Sequence, residues 1–174
     1  MTSRIRLAAV LCLALAAPVH AEMLEFPSPD GMKSWPKIAT IRGWHQDPQA
    51  SFANTANAIV ADDDVYPDGN AIILARGFPR AGKSLAQMIE ADKAAKSDGA
   101  NAAKLPDLVD KDQVAFTVMA YTPAKDGKFE AVAYREEGPV YLAFTLSAKN
   151  KAEYDKAWPF FVQTVENYAA MIPW

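Results

Sequence analysis

The chain has 174 residues, 51% of them hydrophobic and 22% charged, with a formal net charge of −3. That length supports one well-buried core, and the apolar fraction excludes a disordered chain. The slightly acidic balance leaves no electrostatic footprint for nucleic acid.

The first 21 residues read as an export leader. Arg4 and Arg6 form a basic start, Leu7 to Ala17 are apolar without interruption, and Pro18 ends the run. Val19-His20-Ala21 fits the small-residue cleavage pattern, which places the cut between Ala21 and Glu22. The apolar run is far short of the ~20 residues a membrane span needs. A lipid-anchored reading through Cys12 fails on Leu11, which stands where a small residue is required. Cleavage removes Cys12, the one cysteine, so the mature chain has neither disulfide nor thiol and depends on packing alone. No later segment is long and apolar enough to span a bilayer. The expected destination is the periplasm or the exterior.

Residues 22–36 hold Pro27, Pro29, Gly31 and Pro36 and read as a Pro-rich surface lead-in without regular structure. Residues 37–174 read as a single α+β domain. Its first strand is expected over Lys37–Trp44 and its second over Asn57–Ala61. Asp62-Asp63-Asp64 and Pro67-Asp68-Gly69 make a turn-rich loop. Asn70–Arg76 is a third strand, apolar enough for burial on both faces. A helix follows from Ser84 to about Lys96, with Leu85, Met88, Ile89 and Ala95 near one stripe. Ser97–Leu108, with Gly99 and Pro106, reads as a loop.

The second half alternates with period two. Val114, Phe116 and Val118 define one strand, Phe129–Arg135 a second across a turn at Asp126-Gly127, and Val140, Leu142, Phe144 and Leu146 a third. Turns between them make an antiparallel meander. The closing helix carries Tyr154, Trp158, Phe161, Val165, Tyr168 and Ile172 at three- and four-residue spacing. Asn150 and Glu153 supply its cap, and Pro159 kinks it without moving the stripe. The order β-β-β-α-β-β-β-α excludes a doubly wound sheet and predicts a mostly antiparallel sheet with helices packed on it.

Asn70–Pro79 (NAIILARGFP), the helix SLAQMIEAD, the two hairpins and the closing YLAFTLSAKNKAEYDKAWPFFVQTV together resemble the PsbP/DcrB-like family over residues 57–172. That resemblance implies an α+β fold and a place among small accessory and binding proteins, mostly non-enzymatic. The family has no shared catalytic motif, so the resemblance transfers no catalytic residue.

One motif competes with that reading. Gly77-Phe78-Pro79-Arg80-Ala81-Gly82-Lys83-Ser84 satisfies the phosphate-binding loop pattern between a strand and a helix. Gly77, Gly82, Lys83 and Ser84 would then bind a nucleotide, with Ala58–Asp62 resembling the companion acidic strand. Three arguments oppose it: the export leader, the hairpin-rich order, and Pro79, which lacks one of the N–H groups a phosphate cradle uses. The same residues have a simpler role, with Ser84 and Gln87 as a capping box and Gly82 in the turn before it.

Other candidates are weaker. His45 is the one histidine beyond the leader and has no evident nucleophile beside it. Asp62, Asp64 and Asp68 offer oxygen ligands, but Tyr66 interrupts the spacing of a calcium loop. Trp35, Trp44 and Trp174 read as packing residues before they read as a ligand groove. Arg76, Arg80 and Lys83 form a small basic stretch, expected as a solvated face. The function expected is an exported, non-enzymatic accessory or binding protein, with no cofactor and no metal, for a small molecule or an envelope protein. The alternatives are an exported hydrolase using carboxylates of the Asp62–Asp68 loop, and a nucleotide-binding protein through residues 77–84.

Overall fold

The computed structural model describes residues 23–28, 31–39, 41–96, 100–125 and 127–169. The leader with its Ala21–Glu22 junction, together with Pro29, residues 97–99, Asp126, Ile172 and Trp174, lies outside the described residues. In chain order the elements are β1 (Met23–Ser28), β2 (Gly31–Pro36), β3 (Trp44–Gln46), α1 (Pro48–Asn54), β4 (Asn57–Ala61), β5 (Ala71–Pro79) and α2 (Leu85–Ala95). There follow β6 (Asn101–Lys104), β7 (Leu108–Val109), β8 (Ala115–Thr122), β9 (Phe129–Glu137), β10 (Val140–Ala148) and α3 (Lys151–Glu166).

The sheet is antiparallel throughout, in the order β3-β4-β5-β10-β9-β8-β6, with β7 also on β8. The expected meander is β8-β9-β10. Its last strand returns beside β5, pairing Val140 with Pro79 and Ala148 with Ala71 along nine residues. Alternation then gives the sheet two distinct faces. On one, Ile73, Ala75, Phe116, Val118, Leu142, Phe144 and Leu146 form the main core. Helix α3 covers it with Ala157, Phe161 and Val165. Asn150 caps this helix, accepting from Glu153 N at 3.0 Å, and Pro159 lies inside one continuous helix. The helix ends at Glu166, yet Tyr168 beyond it remains buried between Phe116 and Phe144, with ring centroids at 6.1 and 5.1 Å.

Among the described residues, the opposite face is covered at its two ends. Helix α2 lays Leu85, Met88 and Ile89 over Met119, Tyr121, Val132, Tyr134 and Ala143. At the other end, Ala50 of α1 and the Ala56 that follows it pack with Ala58 and Leu74. Asp47 caps α1, accepting from Ala50 N at 2.8 Å, with Pro48 in the first turn.

The structure corrects several local expectations. Lys37–Trp44 is not a strand. Ile38 and Ile41 are both buried, a spacing of three, and Gly43 at φ +86 turns the chain so that the strand begins at Trp44. Residues 22–36 were expected to be irregular, but β1 and β2 pair as a two-stranded antiparallel ribbon. In such a ribbon each strand has a free edge where a proline's missing N–H costs no hydrogen bond. The 97–108 segment, expected as a loop, contains β6 on β8; all four β6 side chains are exposed, so no hydrophobic alternation marks it. The third strand is not buried alike on both faces. Ile73 and Ala75 enter the core, while Ile72 and Arg76 face a cavity and are only half-buried.

Candidate functional site

Between α2 and the Tyr66–Asn70 loop, the uncovered middle of the sheet floors a cavity of about 650 Å³. Three adjacent strands supply the floor: Ile72, Leu74 and Arg76 from β5, Tyr141, Ala143 and Thr145 from β10, and Glu130, Val132 and Tyr134 from β9. Register sets the rows, with Leu74, Thr145 and Val132 in one and Arg76, Ala143 and Tyr134 in the next. Small side chains at Ala143, Thr145 and Ser147 keep the β10 part of the floor low. Met88 and Asp92 of α2 form one wall.

Polar groups within the cavity are organised on the α2 side. Tyr134 donates its hydroxyl proton to Asp92 in a short hydrogen bond, so the Tyr121 hydroxyl, 2.9 Å away, donates to Tyr134. Burial, with the Asp92 bond next, holds the Tyr134 hydroxyl protonated far above its usual range. Burial pushes Tyr121 up to about 12. Lys96 pairs with Glu130 at 2.6 Å and lies 5.2 Å from the centre of the Tyr121 ring.

Arg76 is different. Its Nε is buried and has no hydrogen-bond partner. The nearby carboxylates are engaged elsewhere, Asp92 by Tyr134 and Glu130 by Lys96. Burial lowers the pKa of Arg76, and the charges of Asp92 and Glu130 oppose that shift.

The residues of the phosphate-loop pattern do not come together as one loop. Gly77 pairs with Leu142 inside the sheet, whereas Gly82 sits at φ +76 in a turn with Ala81 at φ +47. Three of the N–H groups that a cradle would offer are used within the chain. Arg80 N donates to Pro139 O at 3.1 Å, Lys83 N to Arg80 O at 2.9 Å, and Ser84 N to the Gln87 side chain at 2.8 Å. Gln87 N donates back to Ser84 Oγ at 3.3 Å, completing the capping box. The Glu136 carboxylate accepts from Leu85 N at 3.2 Å, and Arg80 neutralises it at 3.1 Å. The Lys83 carbonyl accepts from Tyr141.

The remaining candidates are dispersed. His45 is the middle residue of β3, 3.4 Å from Asp62. Asp64 closes its own loop, accepting from Asn70 N at 2.7 Å and from the Asn70 amide at 3.0 Å. None of Asp62, Asp63, Asp64 and Asp68 lines the large cavity, and among the described residues no three acidic, His or Cys groups are placed to hold a metal. Trp44 is buried against Phe160, and Trp35 is buried at 6.1 Å from Phe52. The basic stretch divides: Arg80 pairs with Glu136 on the surface, whereas Arg76 and Lys83 line the cavity. Sequence reasoning missed the cavity. Its one signal was the small and polar set Ala143, Thr145 and Ser147 alternating with Leu142, Phe144 and Leu146.

No family model matches the chain, and no curated protein matches it by sequence. Solved structures similar to it include the cyanobacterial PsbP (CyanoP) of Synechocystis sp. PCC 6803, at TM-score 0.47 and 11% identity, covering 91% of this chain and 98% of that one. The Ran-binding protein Mog1p of Saccharomyces cerevisiae is similar at TM-score 0.42 and 11% identity, covering 81% of this chain and 84% of that one. The first bears the name of the family that the sequence resembles. The α+β class itself rests on the strand order and the helices described above. No helix among the described residues is long and apolar enough to cross a membrane.

Proposed function

We propose that this chain is an exported, non-enzymatic binding protein that holds a small molecule on the open face of its sheet. The observation that carries the reading is the cavity of about 650 Å³ between α2 and the Tyr66–Asn70 loop. That size is within the usual range for ligand pockets, and its mixture of apolar floor and few oriented polar groups is what such pockets have. The Tyr121–Tyr134–Asp92 chain satisfies its members internally, which suits recognition better than proton transfer. Export is supported by the basic start, short apolar run and Val19-His20-Ala21 pattern of residues 1–21.

The cavity is tested with the uncharged fluorophore N-phenyl-naphthylamine. Saturable enhancement of its emission is expected, and Thr145→Trp, which fills the middle of the floor from a half-buried position, should abolish it. No saturable binding, or binding indifferent to Thr145→Trp, overturns the reading. Export is tested separately. Residues 1–21 fused to a reporter active only outside the cytoplasm should direct it there, and the recovered chain should begin at Glu22. A product retaining Met1 overturns that part.

A further inference from the structure

Resting on the cavity reading, we infer that the ligand is an amphipathic monocarboxylate, its acid group on Arg76 and its hydrocarbon along Leu74, Ile72 and Val132. Arg76 has a buried Nε with no partner, an arrangement that is costly until an acceptor arrives. A guanidinium presents a planar fork of donors that matches a carboxylate. Neither nearby acid accepts from this Nε; Asp92 accepts from Tyr134 and Glu130 from Lys96. Lys83, Lys128 and Lys149 line the same cavity, so the surround of Arg76 is net cationic and favours an acid group over an alcohol.

The rest of the ligand follows from the floor. From Arg76 to Ile72 the strand runs four residues, about 13 Å, and its cavity-facing side chains are then Leu74 and Ile72. Val132 and Ala143 continue the apolar surface on the neighbouring strands, and Met88 of α2 overhangs it. Met is a side chain that adapts to chains of varied shape. This places the polar end beside Ala143 and Tyr134 and directs the apolar end toward the Tyr66–Asn70 loop.

Decanoate, decanol and decyl phosphate, used as competitors of bound N-phenyl-naphthylamine, test the assignment. Decanoate should displace the fluorophore at a concentration about ten- to a hundredfold lower than decanol, the range of a charge-assisted hydrogen bond. Arg76→Met, measured against its own fluorophore affinity, should no longer distinguish acid from alcohol; Arg76→Gln gives the same comparison should the methionine variant not fold. Equal potency of acid and alcohol on the unaltered chain overturns the carboxylate while leaving the cavity reading in place, as does a preference that survives loss of the arginine. Tighter binding of decyl phosphate than of decanoate also overturns it. Failure of the fluorophore itself to bind overturns the cavity reading, and this inference with it.

Discussion

At the scale of single residues, the two arginines with an unsatisfied Nε, Arg76 and Arg135, show why burial alone does not define a site. Arg135 is 3% exposed, its two terminal nitrogens donate to Asp110 and Glu137, and its guanidinium lies 4.8 Å from the centre of the Phe116 ring and 5.2 Å from that of Tyr168. Asp110 also accepts from Asp112 N and Val114 N, each at 2.9 Å, so it ties the turn before β8 to the middle of β9. This arginine is structural. Arg135→Met should destabilise the fold by about 3–5 kcal/mol, because it leaves Asp110 charged, buried and without its cation. Adding Asp110→Asn should recover part of that loss, measured by urea denaturation; a double variant no better than the single would refute the coupling. Arg76 was legible only as a basic residue near Arg80 and Lys83. Its inward direction follows from strand parity, which places it with Ile72 and Leu74, whereas Arg80 lies past the strand's end.

At the scale of elements, the chain was legible wherever a face alternates or a cap has its partner. The meander, the closing helix and the Ser84 cap follow directly from such signals. Ser84→Ala should lower stability by about 0.5–2 kcal/mol. Ser84→Asn should be nearly silent, and Ser84→Asp should fall between, since the new carboxylate caps the helix but faces Glu136. Thermal melts that rank aspartate above serine would contradict this arrangement. In α3, Phe161→Ala should cost about 3–5 kcal/mol as a large-to-small change in a core, whereas the exposed Gln163 should accept alanine within about 0.5 kcal/mol. Equal losses at both positions would mean that the buried face is elsewhere. Elements without such signals were not legible. Strand β6 buries no side chain, α1 has seven residues and announces itself only by Asp47-Pro48, and the spacing of Ile38 and Ile41 imitates a strand until Gly43 turns the chain.

At the scale of the molecule, the decisive feature is a sheet with α3 packed on one face and α1 and α2 covering part of the other. The cavity is a consequence of where those helices land, and no local pattern of sequence encodes that distance. Both faces bury tyrosines whose hydroxyls stay protonated beyond the usual phenol range: Tyr121 and Tyr134 by the cavity, Tyr168 just past the end of α3. Burial is the main cause in all three, joined at Tyr134 by the bond to Asp92 and at Tyr168 by the charge of Glu137, to which its hydroxyl donates at 3.1 Å. An unfolded tyrosine loses its proton near pH 10. Between that pH and the higher folded values, the folded chain holds more protons than the unfolded one, so stability falls as pH rises. Below about pH 10 these three contribute no pH dependence. The urea midpoint should therefore decline from about pH 10 upward, with Tyr121 contributing until about pH 12. Phenolate absorbance from these residues should appear together with loss of far-ultraviolet ellipticity, and Tyr168→Phe should flatten the decline. If all the tyrosines ionised near pH 10 while the ellipticity stayed intact, the packing assigned to both faces would be wrong.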